Sequence, residues 1–111
     1  MSFFASATME NSVANFESEC RHLLYRFFAA FPDAAMQQHC GKVLRLLRAS
    51  EKPLKGKAEG WAAGIIYFVA TDGHFPCGVP GVSNAEFSEF MGVPMETSRR
   101  RSGRVRDIVL L

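Results

Sequence analysis

Several things are scarce in this chain of 111 residues, and each scarcity narrows what it can be. Cysteine occurs three times, at positions 20, 40 and 77, and no two are close. An odd count without close pairs argues against a disulfide framework. No apolar run approaches the ~20 residues that a bilayer span needs. The longest, 61–70, suits a buried core helix. Residues 1–10 hold two phenylalanines but neither a basic flank nor a long apolar stretch, so they do not read as a secretory signal. They are expected to form a flexible N-terminal arm ahead of a single domain over 11–111, in the cytoplasm. Sustained apolar–polar alternation is missing, as is any Asn-Gly or Asp-Gly hairpin between β-branched runs, and strands are therefore not expected.

What the chain does have is the helical period. Val13, Phe16, Cys20, Leu23, Leu24, Phe27 and Phe31 recur at three- and four-residue steps, giving one apolar stripe over 12–31. Asn11 or Ser12 can cap that helix, and Pro32 ends it. Asp33 reads as the N-cap of a second helix with Met36, Cys40, Val43, Leu44 and Leu47 on one side. Lys42, Arg45 and Arg48 lie opposite. Residues 50–57 read as a linker, stiffened by Pro53 and loosened by Gly56. A third helix over 61–70 is apolar on every face and must be surrounded by others. Ala62, Ala63 and Gly64 let a neighbour come close there, which is the reason a glycine costing ~1 kcal/mol is tolerated in a helix.

Glycine and proline dominate 71–82, a loop. Ser83 and Glu86 form a capping-box signature for a fourth helix over 84–91, with Phe87, Phe90 and Met91 inward. Gly92 suits the left-handed position past its end, and Pro94 the first turn of a fifth helix over 94–109. Ser98, Ser102, Val105 and Val109 make only a weakly apolar stripe on that helix, so close contact with another helix is expected.

Helix, turn around Gly92-Val93 and helix form a helix-turn-helix pattern. With the small-residue helix before it, the arrangement resembles a cyclin box as found in the core repeats of the general transcription factor B family. The matching positions are Ala62, Ala63, Ile66 and Tyr67, then Glu86, Phe87, Phe90, Gly92 and Val93. The chain also resembles a family of small, mostly bacterial domains without an assigned activity. That likeness rests on Gly56-Lys57, Trp61-Ala62-Ala63, Ile66-Tyr67, His74-Phe75, Gly92-Val93 and Val105-Arg106-Asp107-Ile108, within residues 55–109. The resemblance implies an all-α, single five-helix, cyclin-box-like domain with a helix-turn-helix-like C-terminal half. Three positions depart from the helix-turn-helix pattern: Ser98 replaces a branched aliphatic residue, Pro94 a serine or threonine, and Gly103 interrupts the last helix.

Net charge is only +2, but it is clustered. Residues 33–57 carry six basic and two acidic side chains, and 95–111 carry five arginines against Glu96 and Asp107. These +4 and +3 regions leave −5 for the remainder. Lys55, Lys57, Arg99, Arg100, Arg104 and Arg106 are candidate contacts to nucleic acid, whose phosphates release counterions when neutralised. Base contacts would come from the start of the last helix, around Glu96, Arg99 and Arg100. Arg101 falls on the flank opposite Arg99 and Arg106. In the alternative, these arginines pair with Glu86, Glu89 and Asp107. Trp61, Tyr67 and Phe75 are candidates for a partner groove.

His74 and Cys77 have zinc-ligand spacing, and with Asp72 they hold a nucleophile, a base and an acid. A structural zinc site needs four convergent ligands, and acyl chemistry an oxyanion hole, and neither accompanies them. No metal, cofactor, catalytic residue or small-molecule substrate is expected. The expected role is that of a non-catalytic protein-interaction or regulatory module without a membrane partner. The alternative is a nucleic-acid-binding regulator of helix-turn-helix type that uses the basic last helix.

Overall fold

The structure, a computed structural model, describes residues 2–50, 52, 54–71 and 78–110, and side chains from residue 15 onward. The chain is all-α: five helices, and no strand among the described residues. They are α1 (Ser2–Ala30), α2 (Ala34–Ala49), α3 (Ala58–Thr71), α4 (Asn84–Met91) and α5 (Met95–Val109). No helix among the described residues is long and apolar enough to cross a membrane.

α1 begins upstream of the cap expected at Asn11 or Ser12. Residues 2–10, read as a flexible arm, contain neither glycine nor proline to stop a helix, and their backbone is helical. α1 stops before Pro32, and Asp33 caps α2 by accepting a 3.1 Å bond from the Met36 N–H. Of the α2 stripe, Cys40, Val43, Leu44 and Leu47 are buried, and Met36 is half-buried against them.

α3 starts one turn earlier than its apolar run, at Ala58, and touches all four other helices, most extensively α5. Trp61, Ala62, Ala63, Ile65 and Ile66 are shut off from solvent. Each large apolar side chain so buried contributes ~1.5–3 kcal/mol. Phe27 of α1 ties in α4, its ring edge-on to Phe87 at 5.6 Å and Phe90 at 5.9 Å between centroids. Phe90, expected inward, sits at the rim with the Arg26 guanidinium 5.9 Å over its ring. Short α4 puts Phe87 and Met91 into the core, and the Phe90 ring packs from the rim on Phe27 and Phe31.

Both cysteines on the first two helices are buried, as their stripe positions require. Burial, reinforced by Glu19, Glu59 and Glu17, pushes the Cys20 thiol up to about 12 from an ordinary value of 9.0. Its Sγ donates to the Ala58 carbonyl at 3.7 Å. Burial, with Asp33 nearby, pushes Cys40 higher still. Neither is a nucleophile at neutral pH.

Candidate nucleic-acid interface

The turn that launches α5 is closed by local bonds. Ser83 and Glu86 form the full capping box at the start of α4. The Ser83 backbone N–H, then its hydroxyl, hold the Glu86 carboxyl below the usual carboxylate range. At the other end Gly92 adopts φ 73, ψ 26, where an L side chain is strained, and its N–H donates to Ser88 O at 2.9 Å. Ser88 Oγ donates to Val93 O at 2.6 Å, fastening the turn from inside. Pro94 stands as the N-cap, one position before the first turn it was expected to open.

α5 then runs unbroken to Val109, so Gly103 does not interrupt it. Ser98, Ser102 and Val105 of the expected stripe are buried, with Ile108 in place of the half-buried Val109, and the close contact expected there is made with α3. Ser98 Oγ has no hydrogen-bond partner among the described residues. A Cβ built on Gly64 would fall 2.5 Å from Arg101 Cβ, 3.0 Å from the Arg101 carbonyl carbon and 3.1 Å from Ser102 N. The two backbones therefore meet at Gly64, and only glycine fits. Thr97 meets Gly60 and Arg101 meets Gly64, so the helices run in the same sense along the contact.

From this contact the Arg101 side chain leans back toward the start of its own helix, as helical side chains do. Its Nε passes 3.6 Å from where a Gly60 Cβ would stand, and its Nη2 occupies the space a Gly56 side chain would need. Gly56 has φ 111, in the region that favours glycine. Three glycines at four-residue spacing thus form a track for one arginine. Below it lies the Trp61 ring, its centroid 5.0 Å from the guanidinium carbon. The Trp61 indole N–H donates to the Lys55 carbonyl at 3.0 Å, as a buried indole needs an acceptor. The segment 55–57 is thereby held on two sides, with Lys55 and Lys57 exposed.

The other four arginines of α5, Arg99, Arg100, Arg104 and Arg106, are exposed. At about 100° per residue, Arg104 and Arg100 lie about 60° and 100° round the helix from Arg101, on one side. Arg106 and Arg99 lie about 140° and 160° round the other way. Arg104 and Arg100 thus lie on the Arg101 side of α5, the side on which Gly56 between the two lysines meets that arginine, and Arg99 and Arg106 extend the positive charge across the outer face. Among the described residues the ion pairs are those of Glu17 with Arg21 at 3.4 Å and with Arg48 at 3.5 Å. None joins an α5 arginine to Glu86, Glu89 or Asp107.

The expected partner groove is not assembled by its described members. Trp61 is 1% exposed beneath Arg101 and belongs to the core. Tyr67 is half-buried against that core. Phe75 lies outside the described residues, as do His74, Cys77 and Asp72. Arg101, which the sequence places only on the flank opposite Arg99 and Arg106, is the α5 cation that the fold turns inward. No family model, curated protein or solved structure matches this chain.

Proposed function

We propose that this chain is a non-catalytic, regulatory nucleic-acid-binding domain that grips phosphates with the outer face of α5 and the 55–57 segment. The observation that carries the reading is that exposed cations of two separate segments, Lys55 and Lys57 on one and four arginines on α5, are tied to each other through Gly56 and Arg101, with no carboxylate paired to the α5 arginines among the described residues. Cations not committed to an ion pair exchange only water and counterions when they meet a polyanion, so little is lost and counterion entropy is gained. The closed turn at Gly92 and the exposure of Glu96, Arg99 and Arg100 support a helix-turn-helix placement of α5. The five-helix order supports the cyclin-box-like reading of the whole.

The test is an NMR amide titration of the labelled protein with a random-sequence DNA duplex at low and near-physiological salt. Shifts are expected on residues 99–106 and 55–57, weakening steeply with salt. The pair R100E and R104E together is expected to weaken binding at least tenfold and lower the salt slope by about 2. Reversal of Lys42 and Arg45 on α2 is expected to leave the slope within about 1 of the parent. No shift at low salt overturns the reading.

One observation favours a protein partner instead. A cavity of about 280 Å³ opens between Phe28, Phe31, Met36 and the Val79-Pro80-Gly81 turn, with no α5 residue in its lining. Shifts confined to that cavity on adding a partner protein would support it.

A further inference from the structure

We infer that Arg101 is a positioning residue: it latches the 55–57 segment to α5 and so sets Lys55 and Lys57 beside the phosphate-binding arginines, an inference that rests on the nucleic-acid reading above. The segment has no regular secondary structure of its own. Lys55, Lys57 and Arg101 are all cationic, so electrostatics alone would spread them apart. Something has to hold them together, and the contacts name it. The indole N–H fixes the Lys55 carbonyl, the Arg101 guanidinium lies on that same indole, and Gly56 fits over the guanidinium because it has no side chain.

The chemistry of the latch explains its residue types. A guanidinium is planar, stacks on an indole face and is more weakly hydrated than an ammonium, so it tolerates partial burial without a carboxylate. Arg101 Nε is buried with no hydrogen-bond partner among the described residues, and the stack stands in for that bond. A side chain committed along its length to Gly64, Gly60, Gly56 and Trp61 is poorly placed to reach a phosphate itself. Arg101 thus acts through the two lysines.

The test combines relaxation in the free protein with a mutant cycle in binding. In R101M, the heteronuclear NOE of amides 55–57 is expected to fall and the Trp61 indole proton to exchange faster, with α1, α2 and α4 unchanged. Substitution of both lysines by glutamine (K55Q with K57Q) is expected to cost about tenfold in DNA affinity and about 2 in salt slope in the parent. In R101M it is expected to cost less than twofold. An undiminished effect of the lysines in R101M overturns the latch. R101K keeps the charge without the planar stack and guards against a misfolded R101M. Parent-like relaxation at 55–57 together with parent-like DNA binding in R101K overturns the inference, because charge alone then suffices. Should the parent itself show no salt-dependent DNA binding, the functional reading fails separately. The relaxation and indole exchange then decide the latch alone, and unchanged values overturn it.

Discussion

α2 and α5 are amphipathic helices of almost the same length, 16 and 15 residues, and both carry an excess of positive charge. They differ in what the fold does with it. α2 stands off from its neighbours on Cys40, Val43, Leu44 and Leu47, and its Arg48 finds Glu17 at 3.5 Å. α5 has serines on its inner side, comes backbone to backbone with α3, and draws one arginine inward onto a tryptophan. Its remaining arginines face solvent without carboxylate partners among the described residues. Counting charge makes the two helices look alike, whereas packing separates them: Lys42 and Arg45 of α2 also lack a carboxylate partner among the described residues, but α2 turns no cation inward.

The sharpest way to break this comparison is to add one methyl group to each helix interface. Gly64→Ala is expected to destabilise by about 2–3 kcal/mol in denaturant unfolding, because its Cβ would meet Arg101 Cβ at 2.5 Å with backbone behind it. Gly41→Ala in α2 meets nothing closer than Arg45 Nη1 at 3.8 Å. It is expected to stabilise by about 0.5–1 kcal/mol through helix propensity. Equal effects would mean that α3 and α5 are not in close contact.

Alkaline pH separates the helices next, since α2 buries a thiol and α5 none. The thiols of Cys20 and Cys40 ionise more readily in the unfolded chain, near 9.0, than when folded. Their contribution is therefore complete below pH 9 and is lost as pH rises toward about 12 for Cys20. Each thiol is expected to lower stability by roughly 1 kcal/mol per pH unit above 9, seen as a fall in the denaturation midpoint. The C20A/C40A double variant should flatten that slope, and an unchanged slope would show that the thiols are not its source.

The smallest difference concerns the orphan hydroxyl of α5. Ser98 Oγ is fully buried with no partner among the described residues. Ser98→Ala is expected to raise stability by about 1 kcal/mol, since removing an unsatisfied buried group relieves its desolvation. A loss of stability instead would reveal a bonding partner for that hydroxyl.

How much of this could be read from the residues follows from range. The helices, the Asp33 cap, the capping box and the left-handed Gly92 depend on neighbours within four positions, and local pattern reveals them. The burial of Cys20 and Cys40 follows from the same periodicity. The early start of α1 was missed because a possible cap at Ser12 looks like a beginning even where nothing stops the helix upstream. The six candidate cations were legible as types, but not that the 55–57 segment is tied to α5. That depends on where Arg101 goes, and its direction is set by glycines about forty residues away. Trp61, a candidate for the partner groove, lies in the core for the same reason: only the three-dimensional structure places a guanidinium on top of it.

The glycine track also has a consequence for descent. Gly56 is held by its positive φ as well as by the guanidinium over it, and Gly64 by the Arg101 and Ser102 backbone, while a side chain at Gly60 would meet only ordinary contacts. A lineage that exchanged Arg101 for a short residue would therefore leave Gly56 and Gly64 fixed, because neither depends on that side chain alone. Gly60 is the one member of the track free to drift with or without the arginine.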